Sequence, residues 1–306
     1  MALTLKQLKV FSALARTGNL AEAAEELFLS KGAVSMSLQE MEKQLEHALF
    51  DRVRNRLQLN SQGRQLVPMV DEVLERVGAI EQRFRSGDKP AGRLHIGASH
   101  TVGNYLLPAM VAAFTQRYPE AEFCIHIDNT RMLQEELLAY RLDMILVEGE
   151  LLPGAIVEYS WLQDTMHVVA APDHPLASRE VIHMADLEEQ AWLLRESGSG
   201  SREQFQRLIS SHLNSWRLVL ELNTTESLLN SVASGLGLCL LSRHAIAAAV
   251  AMGRVVALPL EPGLQRQLRL ALHKDKYLSP TLEAFVAFAR EWRPHEACKA
   301  AVSSPH

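Results

Sequence analysis

The sequence predicts a multidomain α/β chain, and three features of its 306 residues support this fold class. Short amphipathic helices open the chain, one long apolar heptad follows them, and strands alternating with helices fill the remainder. A chain of this length with 47% apolar residues can bury two or three separate cores. No run approaches the roughly 20 uncharged apolar residues of a membrane span, and the start does not resemble a signal peptide. We therefore expect a cytoplasmic protein with no membrane partner.

The cysteines and the charge distribution narrow the choice further. Cys124, Cys239 and Cys298 lie far apart and form no C-x-x-C pair, so neither a disulfide framework nor a zinc site is predicted. Reduced cysteines used as small apolar residues are the simplest interpretation. The net charge is −5, yet residues 1 to 67 hold nine Lys/Arg against seven Asp/Glu. This excess is a weak electrostatic indication that the N-terminal part binds nucleic acid.

Three helices are predicted at the N-terminus. The first begins at the capping box Thr4-Leu5-Lys6-Gln7 and ends at Gly18. The second is capped by Asn19 and ends at a tight turn, Phe28-Leu29, after which Ser30 caps the third. This is helix-turn-helix spacing, in which the N-terminal part of the later helix enters the major groove of DNA. The outward residues expected to contact DNA are Ser30, Lys31, Gly32, Ser35, Met36 and Gln39.

A short hairpin is predicted from Leu49 to Leu59, with Asn55 near its tip. Three arginines recur in it at period two and are expected on one side of it: Arg52, Arg54 and Arg56. Taken alone, an arginine cluster usually marks solvated surface. Beside a recognition helix it is typical of a wing that binds phosphate, so the pattern predicts an all-α winged helix-turn-helix domain with phosphate contacts from these arginines.

A long helix is predicted from Ser61 to Arg85 because its apolar residues step by four and three, the a/d pattern of a heptad repeat. The residues of this seam are Leu66, Val70, Val73, Val77, Ile80 and Phe84. The preferred interpretation is a linker helix that pairs with the same helix of another copy to make a dimer. The alternative is a helix packed against its own domain. The Gly/Pro-rich stretch Ser86 to Gly92 would end this helix and serve as a hinge.

Strands alternate with helices from Arg93 onward, which predicts parallel sheets. The last strand, Leu268 to His273, would return to the first lobe, with crossovers near Trp161-Leu162 and over Leu258 to Leu264. Two α/β lobes joined by two crossovers make a periplasmic-binding-protein-like domain. The predicted boundaries are 1–60 for the winged helix-turn-helix, 61–90 for the linker helix and hinge, and 91–306 for the two-lobed domain, with lobe I at 91–161 plus 265–295 and lobe II at 162–264.

A ligand cleft is predicted between the lobes, because ligands of open parallel sheets bind where strands end and helix N-termini present amides. Each candidate residue could instead be explained as a helix cap. The ligand hypothesis therefore depends on all of these residues converging on one cleft. Hydroxyls, amides and a Gly/Ser run suit a small anion, with Arg195 and Arg202 as countercharges. Glu148 would face a ligand donor or proton, or would pair with one of these arginines. The candidates are Ser99, His100, Thr101, Asn129, Thr130, Glu148, Arg195, Ser197, Ser199, Gly200, Ser201, Arg202, Thr224 and Thr225.

The first 63 residues carry one set of motifs at fixed positions: Leu8 to Phe11, Asn19 to Leu27, Ser30 to Ser35, Leu38, Met41-Glu42, Leu45, Leu49 to Arg52 and Leu59 to Gly63. This pattern resembles the N-terminal signature of LysR-type transcriptional regulators. The resemblance implies a regulator that binds specific double-stranded DNA sequences and is controlled by an effector between two lobes. It also implies a homotetramer built as a dimer of dimers, and contact with RNA polymerase. Members often carry Gln where this chain has Lys31, and a polar or basic residue in place of Met36, so the operator preference does not carry over.

Further segments resemble one branch of that family, the branch of YeiE-like and related sulphur- or carbon-metabolism regulators. They are Gly103 to Pro108, Val147 to Gly149 and Arg195 to Glu203. Members of this branch respond to small anions, sulphite among them. The resemblance therefore implies a small anionic effector.

Two other functions fit parts of the sequence. A solute-binding protein of a transport system would suit the C-terminal half, but a secretion signal is missing and a winged helix-turn-helix is present. An enzyme would need catalytic residues, yet the sequence has no G-x-S-x-G elbow, H-E-x-x-H pair, Walker loop or dinucleotide fingerprint. Isolated histidines such as His100, His126 and His167 are more often hydrogen-bonding spectators. We expect no catalytic residues, no metal and no cofactor.

Overall fold

The computed structural model describes residues 3–53, 56–86 and 90–294. The N-terminal part contains three helices, a hairpin and one long helix, as the sequence predicts. These elements are α1 Leu5–Thr17, α2 Leu20–Glu26, α3 Lys31–Leu45, β1 Phe50–Val53, β2 Arg56–Leu59 and α4 Ser61–Ser86. The predicted winged helix-turn-helix and linker helix are thereby confirmed as elements of the fold.

Local capping explains where the first three helices begin and end. Thr4 forms a capping box with Gln7 at the start of α1, and Gly18 ends this helix in the left-handed region at φ 63°. Asn19 and Ser30 accept hydrogen bonds from the free amides in the first turns of α2 and α3. The apolar faces that these caps orient meet in one core, whose buried members include Phe11, Leu14, Val34, Met41 and Leu49.

The remaining chain alternates strands and helices. Its strands are β3 Gly92–Ala98, β4 Ala121–Ile127, β5 Met144–Val147, β6 Ile156–Ala170, β7 Ala191–Arg195, β8 Arg217–Leu222, β9 Cys239–Ser242, β10 Val256–Ala257 and β11 Leu264–His273. Its helices are α5 Leu107–Arg117, α6 Thr130–Leu138, α7 Gly200–Leu208, α8 Thr225–Ala233, α9 Arg243–Ala251 and α10 Pro280–Glu291. A π-helical turn, Val102–Leu106, leads into α5. This is the predicted two-lobed α/β architecture.

Two long antiparallel strands join the lobes. The main sheet has the order β10-β6-β11-β5-β3-β4, with β9 also on β6, while β7 and β8 pair separately. Strand β3 runs parallel to β4 and β5, whereas β11 runs antiparallel to β5 and β6. One end of the β6–β11 pair packs into a core around Phe114 and Phe285, which we call lobe I. The other end packs into a core around Trp192 and Phe205, which we call lobe II.

The second crossing differs from the prediction. Residues Leu258 and Leu264 both pack into the lobe II core, so the segment between them does not cross. The crossing lies inside β11, where the register with β6 shifts between Gln267 and Arg269. The polar residues that precede Leu268 hid the first half of this strand from a search for apolar alternation. The first crossing, near Trp161-Leu162, lies within β6 as expected.

Helix α4 divides its apolar seam between two surroundings, which corrects the predicted dimer seam. Leu66 and Val70 pack into the N-terminal core, so the alternative of packing against its own domain holds for this part of the helix. Val73 and Ile80 are exposed, and Val77 is half-buried. The side chain of Phe84 lies outside the described residues. One heptad repeat fits both surroundings, because the same spacing of apolar residues suits contact with a partner helix and contact with the helix's own domain.

In the ranges that the structure describes, no helix combines the length and the apolar character that crossing a bilayer requires.

Two glycines of α4 give a test of the N-terminal packing. A Cβ added at Gly63 would lie 2.2 Å from the Leu49 carbonyl oxygen, so Gly63→Ala must displace backbone. We expect a loss of about 1 to 3 kcal/mol of unfolding free energy from this overpacking. Gly78→Ala is the control, since a Cβ there meets no atom within 4 Å. It should gain up to about 1 kcal/mol from helix propensity. Urea unfolding followed by circular dichroism measures both, and equal effects would contradict the packing described.

Candidate nucleic-acid interface and ligand cleft

The predicted contact residues of α3 lie on one face of the helix. Lys31, Gly32, Met36 and Gln39 are exposed, and Ser35 between them is half-buried. The opposite face of α3 is buried in the N-terminal core. Ser30 is also exposed, and its Oγ accepts a hydrogen bond from the Ala33 amide at 3.2 Å. The structure thus presents one continuous side of α3, from its N-terminus onward, to a neighbouring macromolecule.

The wing arginines do not share one side, contrary to expectation. Arg52 is paired across the hairpin with Leu57, so the two side chains share a face, and Arg56 next to Leu57 must point the other way. Side chains two residues apart share a face only within one strand, and Arg52 and Arg56 belong to different strands. Arg52 lines a small depression together with Ser35 and Gln39 of α3. Arg56 lines the groove between the wing and lobe I instead. Arg54 lies outside the described residues.

A buried ion pair stands at the crossing of the two lobes. Asp164 of β6 and Arg266 of β11 are directly opposite in the strand register. Arg266 Nε donates to Asp164 Oδ2 at 2.8 Å, and both side chains are 0% exposed. Ser242 donates to the second oxygen of Asp164, also at 2.8 Å. Such a pair is tolerable in a low-dielectric interior only when its geometry and its remaining hydrogen bonds are satisfied.

The same guanidinium gathers residues from both lobes. Arg266 Nη2 donates to Thr101 Oγ1 at 3.1 Å in lobe I, and Nη1 donates to Ser201 Oγ at 3.3 Å in lobe II. Its Nη2 also lies 3.5 Å from Glu148 Oε2, and Ser201 donates to the other oxygen of Glu148 at 3.3 Å. We call these five residues the Arg266 network: Thr101, Glu148, Asp164, Ser201 and Arg266.

The partner of Glu148 is therefore Arg266, and neither of the arginines that the sequence suggested. Arg195 is buried and makes two bonds, of 2.8 and 2.9 Å, to Glu196. Arg202 pairs with Glu221 and donates to the Arg195 carbonyl at 2.8 Å.

Sequence reasoning missed Asp164 and Arg266, although a signal was present. Both are charged residues within strands that are otherwise rich in apolar side chains, and they have opposite sign. Because the second crossing was predicted at Leu258 to Leu264, the sequence did not place Arg266 opposite Asp164.

Three buried polar atoms at the carboxyl ends of lobe I strands have no hydrogen-bond partner among the described residues, while a fourth such atom of this lobe, Trp161 Nε1, belongs to a residue of the apolar core. The three are Ser99 Oγ, Thr130 Oγ1 and Glu148 Oε2, of which Glu148 Oε2 has only the ion contact with Arg266 Nη2 at 3.5 Å. Each follows the carboxyl end of a strand, and β3, which leads to Ser99, lies between β4 and β5 in the sheet. The three residues therefore lie along one edge. A buried polar group without a partner costs about 1 to 3 kcal/mol, so a ligand that satisfied these atoms would recover that free energy.

The lobes touch at two glycines beside this edge. A Cβ added at Gly200, the first residue of α7, would lie 2.6 Å from the Gly149 amide nitrogen. Asn129 Nδ2 also donates across the cleft to Glu196 Oε1 at 3.4 Å. Because only glycines allow the two backbones to approach this closely, the cleft is closed at this point.

The other predicted cleft residues have more local surroundings. Burial, followed by the positive charge of Arg195, lowers the pKa of His100, which is half-buried. Ser199 is buried just before α7, whereas Ser197 is exposed. Thr224 caps α8 by accepting from the Ser227 amide, and Thr225 is buried behind it. In the part of the chain that the structure describes, none of their hydrogen bonds joins the Arg266 network.

A winged helix-turn-helix joined to a two-lobed domain with a closed polar cleft defines a class: DNA-binding regulators that carry a ligand-sensing domain. Two family matches identify the particular group. Residues 5–64 match the bacterial regulatory helix-turn-helix protein, lysR family, and residues 87–294 match the LysR substrate binding domain. The chain belongs to the LysR family of transcriptional regulators, which confirms the resemblance seen in the sequence.

Similar proteins include YeiE of Escherichia coli strain K12, an uncharacterized HTH-type transcriptional regulator. It is 38% identical over 290 residues, which cover 94% of this chain and 97% of YeiE. A full-length OxyR variant of Pseudomonas aeruginosa shares the fold, with a TM-score of 0.75, 24% identity and 94% coverage of both chains. The CcmR regulatory domain of Synechocystis PCC6803, solved in complex with 2-PG, has a TM-score of 0.61 and 26% identity. That match covers 65% of this chain and 96% of the other.

The Arg266 network provides a stability test. Asp164→Asn leaves Arg266 buried without its strongest partner, so we expect a loss of about 3 to 5 kcal/mol of unfolding free energy. The double variant Asp164→Asn with Arg266→Met should lose less than the two single variants added together, because it removes both charges. Asp128→Asn, at a partly exposed carboxylate, is the control. Urea unfolding of the full chain measures all four variants, and strictly additive losses would contradict the pairing.

Proposed function

We propose that this chain is a transcriptional regulator that binds specific sequences of double-stranded DNA and is controlled by a small effector held between lobes I and II. The observation that carries this proposal is the Arg266 network, since it ties both lobes to the crossing strands beside three unsatisfied polar atoms. An effector that satisfies those atoms would stabilise the closed cleft. The closed and open arrangements would then differ in effector affinity, which is what a population shift requires.

The α3 face has the chemistry for reading DNA. Lys31 and Gln39 can hydrogen-bond base edges in the major groove, and the apolar side chain of Met36 suits a thymine methyl group. Arg52 lies beside them and can bind a phosphate, which positions the helix without reading sequence. Arg56 is proposed as a weaker contributor because it faces the groove toward lobe I.

Oligomerisation would place two such surfaces on one operator. We propose that the exposed ridge of α4, formed by Met69, Val73 and Ile80, pairs with a second copy. Two-fold pairing lets winged domains read two half-sites one helical turn or more apart. A dimer of dimers, and contact with RNA polymerase, are proposed from the family alone.

The charges of the cleft restrict the effector. Arg266 faces two carboxylates, and Arg195 and Arg202 each face one. In the described cleft every one of these cations already has a counter-charge, so a multiply charged anion would gain little Coulomb energy. A small, singly charged oxyanion that keeps a proton fits better. It could donate to Glu148 Oε2 and accept from the hydroxyls of Ser99 and Thr130.

We therefore propose a hydrogen sulphite-like ion as the first candidate, in agreement with the branch that the sequence resembles. The second candidate is 2-PG, because the similar CcmR regulatory domain was solved with it. The transport alternative has lost support because the N-terminal winged domain matches a regulator family. We also propose no catalytic activity, since the family to which the chain belongs consists of transcriptional regulators.

DNA contact can be tested one residue at a time. Lys31→Ala, Ser35→Ala and Arg52→Ala should each weaken binding to a duplex selected in vitro, because a lost base contact costs about 1 to 3 kcal/mol. Arg56→Ala should weaken it less than Arg52→Ala, although both remove an exposed arginine. Fluorescence anisotropy at fixed ionic strength measures the dissociation constants. Equal losses for Arg52→Ala and Arg56→Ala would show that the wing orientation is wrong.

Effector binding can be tested by thermal shift with hydrogen sulphite, sulphate, phosphate, nitrate and 2-PG as probes. Thr130→Val should raise the melting temperature of the unliganded chain, because it removes an unsatisfied buried hydroxyl, and should abolish the shift with the active probe. Thr115→Val is the control, since the Thr115 hydroxyl bonds only to backbone of its own helix. A probe that stabilises Thr130→Val as strongly as the wild type would contradict this site.

A further inference from the structure

Helix α4 is held against lobe I by a buried lysine. Lys276, three residues beyond β11, has a side chain that is 5% exposed. Its Nζ lies 2.8 Å from Oδ1 of Asp143, which precedes β5, and 3.6 Å from Oδ2 of Asp71 on α4. The second oxygen of Asp143 accepts from the His95 amide at 2.7 Å. One ammonium group thus bridges a carboxylate of lobe I and a carboxylate of the helix that carries the DNA-binding domain.

Two further contacts join the same surfaces. Arg76 of α4 lies over the ring of Tyr277, at 5.0 Å from the ring centroid. Tyr140 of lobe I packs against the N-terminal core, and its ring contacts that of His273 in a tilted arrangement with centroids 4.2 Å apart. Tyr140 adopts φ 57°, in the left-handed region that non-glycine residues rarely occupy. This conformation ends α6, where the Tyr140 amide donates to the Leu137 carbonyl and the Arg141 amide to the Glu136 carbonyl.

The charges make the contact specific. Three carboxylates, those of Asp71, Glu75 and Asp143, surround the single ammonium of Lys276. Burial raises the pKa of Asp71 and of Glu75. Burial opposes the charge of Lys276, but Asp143 and Asp71 outweigh it and raise the lysine pKa. A buried charge is stable only where its partner lies in contact with it, so the ion pair fixes the relative position of α4 and lobe I. A contact between two apolar surfaces would allow one to slide over the other.

We propose that Lys276 is a positioning residue that fixes the angle between α4 and lobe I, and thereby the orientation of the DNA-binding domain. Asp71, Asp143 and Lys276 together are called the α4 latch. The same strand, β11, carries Arg266 near one end and leads into Lys276 at the other. Any movement of β11 that accompanies cleft closure is transmitted to α4 through the latch. This last step rests on the proposed function, whereas the latch itself does not.

Asp71→Asn is the sharpest test, because it removes the arm of the latch that reaches α4 and leaves the contact between Lys276 and Asp143 in place. In hydrogen exchange of the full chain without DNA or effector, amides of α4 around residues 70 to 80 should exchange about tenfold faster. Amides of β5 should be unchanged. Glu81→Gln, at an exposed carboxylate further along α4, is the matched control. The latch is refuted if both variants exchange alike, or if Asp71→Asn also loosens β5.

A second pair of variants separates the charge contact from general destabilisation. Lys276→Met should also accelerate α4 exchange, and adding Asp71→Asn to it should accelerate α4 no further. Lys274→Met, at an exposed lysine two residues away, should match the wild type. If the double variant instead accelerates α4 exchange by the product of the two single effects, the proposed bridge between Asp71 and Lys276 is wrong.

The orientation claim needs a readout on DNA. With a selected duplex labelled at both ends, Asp71→Asn should change the end-to-end energy transfer of the complex relative to Glu81→Gln. Faster α4 exchange with unchanged energy transfer would refute the claim that the latch sets the domain angle. Failure of the wild type to bind any selected duplex would instead refute the proposed function, while the exchange result would still decide the latch.

Discussion

The pairing of Asp164 with Arg266 constrains the rest of the two-lobed domain. Both side chains are fully buried and face each other across strands that belong to both lobes. Because separating two buried charges is costly, the pair fixes the register of β6 against β11 and so the place where the lobes meet. Thr101 and Ser201 reach the same guanidinium from opposite sides. A rearrangement of the lobes must exchange these bonds, which gives the domain discrete states instead of a continuous range.

The strand that holds this pair also connects the cleft to the DNA-binding part. Strand β11 passes from the lobe II core through Arg266 into lobe I and ends three residues before Lys276. A paired strand transmits displacement along its length, since its ladder of hydrogen bonds resists local bending. The cleft and α4 are therefore linked by one strand, which has an ionic contact at Arg266 and a second one at Lys276 just beyond its other end. Coupling through this strand requires that both contacts respond to the same movement.

The sequence predicted elements better than it predicted their partners. Caps at Thr4, Asn19 and Ser30 act locally, and each helix begins where its cap indicates. Periodicity identified the hairpin and α4, but a period does not say which surface an apolar or charged face meets. Arg52 and Arg56 lie on opposite faces of the hairpin, because they belong to different strands and the period of two does not continue from one strand to the next. Arg266 was missed since its role depends on Asp164, 102 residues earlier in the chain, and only strand register reveals that pairing.

The charge balance of the cleft bears on how an effector would be selected. Because the arginines already face carboxylates, a further negative charge on the effector gains little Coulomb energy. Hydrogen bonds would therefore distinguish one effector from another. Glu148 Oε2 accepts and cannot donate when ionised, and it is buried. An anion without a proton would place like charges together, while a protonated one would supply a hydrogen-bond donor to this oxygen, which otherwise has only the ion contact with Arg266 at 3.5 Å. Sites that reject a ligand by leaving a buried group unpaired discriminate more strongly than sites that only add attraction. On this argument the site that we propose would select the protonation state of the effector through Glu148 and its shape through the hydroxyls of Ser99 and Thr130.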